Sequence, residues 1–193
     1  SIPAPTEPPD SAPATAPETA PPTTEPLLGD PVLLADIPIA DVVDVDENKP
    51  ARDYDDFVAV AVTDVERWWA EVFPEVYGEP FVPIANGIFA GYPERQTELP
   101  GCGELTTRYE DLNQYVAFYC ATDDFMIYDD GDTSLLKDLA DNFGPAVMGV
   151  VIAHEYGHTI QQRIGALDEF IATIYTEQQA DCFSGAWAGQ AYR

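Results

Sequence analysis

Two histidines are all that the 193-residue chain contains, and they stand four residues apart. They bracket the sequence His154-Glu155-Tyr156-Gly157-His158, an HExxH pattern. The preceding run, Ala146-Val147-Met148-Gly149-Val150-Val151-Ile152-Ala153, is apolar on nearly every side, which predicts a buried helix. Pro145 fits the first turn of that helix and Gly165 fits just past its end. On a helix, residues i and i+4 stack on one face, about 6 Å apart. Two imidazoles so placed can share one tetrahedral Zn²⁺. Glu155 is turned off that face by one residue, toward the open coordination position, where a general base belongs. Two surface histidines on a helix would be the plainer reading, and the apolar surroundings speak against it.

A catalytic zinc needs a third protein ligand. There is no third histidine, and Gln161 and Ile164 occupy the Gly and His positions of the metzincin extension. The candidates are therefore acids downstream. From Leu167 onward the sequence predicts a second helix, with Asp168 and Glu169 at its positive end. Within it, Glu177 and Asp181 share a face continued by Ser184, Gly185 and Ala188, small enough to approach the first helix closely. Two antiparallel helices on a short connection bring Glu177 to the histidines as third ligand. Asp181 is placed to accept the second ring N–H of a ligand histidine and fix its tautomer, with a plain surface acid as the alternative. Asp168 is the fallback ligand, although a cap is its more ordinary task.

The rest of the chain divides by composition. Residues 1–30 hold half of the 18 prolines, with Thr, Ala and Glu and no aromatic residue. Such a segment reads as a disordered, extended stalk that holds the folded domain away from an envelope tether or anchor, with a disordered terminus without a role as the alternative. Residues 31–54 read as an acidic linker. Asp44, Asp46 and Asn48 briefly suggest a calcium loop, but Lys49 stands where that loop needs Gly, and Asp55 where it needs Glu. The folded domain is expected over residues 55–193. Phe57, Val60, Ala61, Val65, Trp68, Trp69 and Phe73 recur at helical spacing, and Pro74 and Gly78 are expected to end that helix. The tryptophan pair lies on the periodic stripe and so reads as core. Residues 81–92 are β-like. Residues 115–119 and 125–128 read as a hairpin around Ala121-Thr122-Asp123-Asp124.

Eight basic residues against 35 acidic ones give a formal net charge of −27. That excludes ordinary nucleic-acid binding and disfavours an anionic membrane surface. No apolar run reaches the roughly 18 residues of a membrane span. The chain begins at Ser1 without a signal-peptide pattern, so any targeting segment is expected to have been removed or left out. Of three cysteines, Cys102 follows a Pro-Gly turn and Cys120 ends the first hairpin strand. A bridge between them would tie loop to sheet and suits an oxidising compartment. Cys182 reads as a small buried residue in the second helix.

The stretch from His154 to His158, with Glu177-Gln178-Gln179-Ala180-Asp181-Cys182-Phe183-Ser184-Gly185-Ala186-Trp187-Ala188, resembles the bacterial "putative neutral zinc metallopeptidase" family. More broadly it is similar to the gluzincins, with HExxH on one helix and ExxxD on the next. Cys102-Gly103, Phe118-Tyr119-Cys120 and Ile127-Tyr128-Asp129 are similar to that family's paired-cysteine hairpin. The resemblance covers roughly residues 55–190. It implies an α+β, zincin-like fold: a small hairpin or sheet on a two-helix zinc-binding core, with an additional N-terminal amphipathic helix. It implies one zinc held by His154, His158 and Glu177, Glu155 as base, and peptide or protein substrates. Family members continue past the second helix, so it also implies more C-terminal chain than the sequence carries. The expected function is zinc-dependent peptide-bond hydrolysis outside the cytoplasm or in the cell envelope. The alternative is a non-catalytic binding or scaffold protein that keeps a structural zinc.

Overall fold

A strand with both faces buried organises the molecule. In the computed structural model, which describes residues 37–104, 108–112, 115–168 and 172–191, this strand is Phe125–Asp129. Numbered in chain order, the elements are α1 (Asp55–Tyr77), β1 (Ile88–Gly91), α2 (Tyr109–Leu112), β2 (Ala117–Cys120), β3 (Phe125–Asp129), α3 (Leu135–Phe143), α4 (Ala146–Arg163) and α5 (Thr173–Ala191), with a 3-10 turn at Ile39–Asp41. The sheet order is β1-β3-β2; β1 runs parallel to β3 and β2 antiparallel to it. Met126 and Tyr128 face the main core with α1 and α4, while Phe125 and Ile127 face a smaller cluster with Leu112 and Cys120. A continuous apolar run is what a central strand covered on both faces requires.

The expected hairpin forms with Phe118 opposite Ile127, and of the β-like residues 81–92 only Ile88–Gly91 is strand. Helix α1 buries Val58, Ala61, Val62, Val65, Trp68, Trp69 and Phe73, so both tryptophans are core. Pro74 does not end it. A proline in the last turn removes a single helical bond, and the carbonyl thereby released belongs to exposed Ala70. Gly78, in the left-handed region at φ 77°, closes the helix through its N–H to the Pro74 carbonyl.

Residues 37–54, expected as an irregular linker, pack on this framework; residues 1–36, with the expected stalk, lie outside the described residues. Val43 and Tyr54 are buried, and Asp44 extends the sheet beside Phe89. The acids here are not simply solvated. Asp46 accepts from the Gln96, Thr97 and Asn48 amides and the Tyr92 hydroxyl. Lys49, the residue that spoils the calcium pattern, pairs with Asp55 at 2.8 Å and with fully buried Asp130 at 2.9 Å.

Helices α4 and α5 lie against each other through small residues. A Cβ on Gly157 would sit 2.8 Å from Ala180 Cα, so the backbones touch there. Ser184 adds a hydroxyl bond to the Val150 carbonyl. Gly185, expected on this contact face, is exposed, with nothing near its Cβ position. Gly165, at φ 74°, ends α4 as expected. Helix α5 begins at Thr173, not Leu167. Residues 164–168 are spent on turns around Gly165, including a bond from the Asp168 N–H back to the Gly165 carbonyl. Glu169, the other expected helix-end acid, lies outside the described residues.

Candidate metal centre

The apolar face of α4 buries Met148, Ile152, Ala153, Tyr156 and Ile160 and so fixes the rotation of the helix. His154 and His158 then emerge on its α5 side, their rings edge to face with centroids 4.9 Å apart. Glu177 comes from the second turn of α5. Its Oε2 lies 3.1 Å from His154 Nε2 and 3.6 Å from His158 Nε2. One donor atom from each of the three residues falls within a 4.8 Å group. Two ligands on one tetrahedral zinc lie about 3.3 Å apart, given bonds of about 2.0–2.1 Å. Two imidazole nitrogens and a carboxylate oxygen are also the donor set that zinc takes. The residues fit the ion.

Each ring's other nitrogen is held from outside the cluster. Asp181 Oδ1 is 2.8 Å from His154 Nδ1, as expected for an outer carboxylate. Gln161 Oε1 is 2.9 Å from His158 Nδ1, a partner that the sequence reading missed. The available signal was a polar residue one turn beyond His158, on the side of the helix that carries the two histidines.

Glu155 lies beside these groups rather than among them. It lines one cavity of about 380 Å³ with His154, His158, Glu177, Tyr115, Ala117, Phe118, Tyr119, Leu167 and Thr176. Only 7% of it is exposed. Burial is the main influence on its carboxyl and, with Glu177 nearby, pushes it above the usual carboxylate range; the histidines and the Tyr119 backbone pull the other way. Asp168, the fallback ligand, is outside the three-residue group.

Strand β2 forms the facing wall. Cys120, at its end, is bridged to Cys102 across 5.8 Å between Cα atoms. Cys182 is free, as expected, but exposed rather than buried. Ala180, Ser184 and Trp187 point into the core, and Cys182 falls on the opposite side of α5.

The sequence profile described as "Putative neutral zinc metallopeptidase" matches residues 40–193. The chain belongs to this family. Its relatives include "Uncharacterized protein YpfJ" of Escherichia coli K12, 33% identical over 154 residues, which cover 68% of this chain and 46% of that protein. "Uncharacterized protein Rv2575" of Mycobacterium tuberculosis H37Rv is 26% identical over 163 residues, covering 78% of this chain and 50% of that protein. The chain thus spans about half the length of the curated relatives it matches. No solved structure matches it.

Proposed function

We propose that this family member is a zinc-dependent peptide hydrolase of zincin-like design, working outside the cytoplasm. The observation that carries the reading is the convergence of both histidine Nε2 atoms on Glu177, with a buried carboxylate alongside. His154, His158 and Glu177 would hold the ion, and Asp181 would keep His154 oriented. Bound there, zinc would supply Lewis acidity for a water and for the scissile carbonyl. Glu155 takes the water's proton on its carboxylate and delivers it to the departing amine. Its position, buried and lining the same cavity as the two histidines and Glu177, suits both halves of that task.

Strand β2 gives the substrate a place to lie. It is an edge strand of the sheet, and Ala117, Phe118 and Tyr119 line the cavity. Met126 donates its N–H toward β1 and Asp129 donates toward β2, so along β3 the residues alternate in the direction they bond. With Phe118 opposite Ile127, the main-chain groups of Ala117 and Tyr119 point away from β3. The Tyr119 N–H is taken by Glu155, and an extended peptide can add as a further strand on the groups that remain. The Cys102–Cys120 bridge supports an oxidising location.

Glu155→Gln tests the proposal. It keeps the shape and removes the base. Zinc content should stay at one per chain while hydrolysis of a quenched peptide library falls at least about 100-fold. Unchanged hydrolysis would remove Glu155 from the mechanism. A wild-type chain that holds zinc and cleaves nothing would favour a structural metal.

A further inference from the structure

We propose that Gln161 sets the tautomer of His158, and that it does so on the authority of the α5 main chain. Gln161 is fully buried, 0% exposed. One end of its amide lies 2.6 Å from the Thr176 carbonyl oxygen and 3.0 Å from Gln179 Oε1. A main-chain carbonyl only accepts, so the group facing Thr176 is the NH₂. The amide oxygen is then turned to His158 Nδ1, 2.9 Å away. That oxygen only accepts, so Nδ1 carries the ring proton. Nε2 keeps its lone pair and faces Glu177 Oε2.

A neutral imidazole in water prefers its proton on Nε2. The site therefore holds His158 in the less favoured form, the one that leaves Nε2 free to bind a metal. The partner of His154 is of another kind: the Asp181 side chain is 73% exposed, and water can stand in for it. Nothing replaces a buried amide. The same amide also joins α4 to α5 one residue before Glu177, so seating α5 and preparing His158 become a single event.

The metal-binding part of this inference rests on the proposed function, but the tautomer does not. Long-range ¹H–¹⁵N spectra of the metal-free full chain, at a pH where the rings are neutral, read it directly. Wild-type His158 should show a protonated Nδ1, and Gln161→Leu should return it to the Nε2-protonated form. Gln179→Leu, which leaves the Thr176 acceptor in place, should keep the wild-type pattern. In a chelator competition with Zn²⁺, Gln161→Leu should bind about 10- to 100-fold more weakly, and Gln179→Leu close to wild type. An Nε2-protonated His158 in the wild type overturns the proposal. So does a Gln161→Leu protein that loses thermal stability while keeping tautomer and affinity, the signature of a merely structural glutamine. If Gln161→Leu does not fold, the wild-type spectrum still decides. A chain that shows the expected tautomer yet binds no zinc would refute the metal reading and leave the role of Gln161 intact.

Discussion

Asp124 is the only non-glycine residue with positive φ among the described residues, at 52°. Its side chain accepts from both the Tyr119 hydroxyl at 2.6 Å and Arg163 Nη2 at 2.9 Å, and from the Ala85 amide at 3.0 Å. Arg163, the last residue of α4, also donates to the Val82 and Pro83 carbonyls. One ion pair thus joins the end of the HExxH helix to the turn of the hairpin. Burial opposes ionisation of Asp124, but the Tyr119, Arg163 and Ala85 donors outweigh it and hold the carboxyl below its usual range. A depressed folded-state pKa contributes stability that is complete above the unfolded value and is lost as pH falls through the folded one. Asn tolerates the left-handed region, so Asp124→Asn keeps the turn and removes the charge. It should cost about 1–3 kcal/mol near neutral pH, with a gap from wild type that shrinks below about pH 4. Urea unfolding across that range checks it; a pH-independent gap would mean the charge contributes nothing. At this scale the sequence was legible where spacing defines a face, as for His154, His158 and Glu177. It was silent about Arg163, whose partners lie on other elements, and it offered no more for Gln161 than a polar residue one turn beyond His158.

At the scale of elements, the separation of α4 and α5 decides whether three donors can meet. The close point is Gly157 against Ala180, inside the HExxH and ExxxD motifs themselves. A Cβ there would also lie 3.1 Å from the Ala180 carbonyl oxygen, and backbone cannot yield as a flexible side chain does. Gly157→Ala should push α5 outward, destabilise by about 1–3 kcal/mol and weaken zinc binding together. Gly185→Ala is the control. Nothing lies within 4 Å of its Cβ position, so it should be neutral or stabilising by up to about 1 kcal/mol with zinc affinity unchanged. Thermal melts and zinc titrations of both variants decide; equal zinc affinity in Gly157→Ala would detach the helix contact from the site. The two helices were readable because one is apolar nearly all round and the other carries small residues. The start of α5 was not, since Leu167 and Asp168 have ordinary helix chemistry and only the turn geometry after Gly165 diverts them. The exposure of Cys182 was hidden for a related reason: α5 is mildly apolar on every side, so its pattern does not name the buried face.

For the whole molecule, a metal held between two helices would link its binding to folding. Zinc that binds only the folded chain should raise the melting temperature, with each tenfold rise in free zinc above Kd adding about 1.4 kcal/mol. Calorimetry at several buffered zinc concentrations measures this, and a melting temperature indifferent to zinc would rule out a folded-state site. The mixture of helix and strand was legible in the chain because stretches of helical and strand-like sequence both occur in it, while the fold class came from the family resemblance. The packing of residues 37–54 was not, because Val43 and Tyr54 are isolated apolar residues in an acidic stretch, and the bonds that hold Asp46 and Lys49 reach across tens of residues.

The open edge of β2 carries a cost of another sort. Unpaired main-chain groups recruit any strand, including that of a second copy, and such pairing propagates into aggregates. Here the edge is four residues long and stops at a cross-linked Cys120, with Asp123 and Asp124 in the turn that follows. A copy that tried to add its own β2 would bring the same acids and the same bridged loop up to the edge, and be turned away. A short peptide with neither would not. A short edge, a bridge and two acids are each features that work against edge-to-edge pairing of copies.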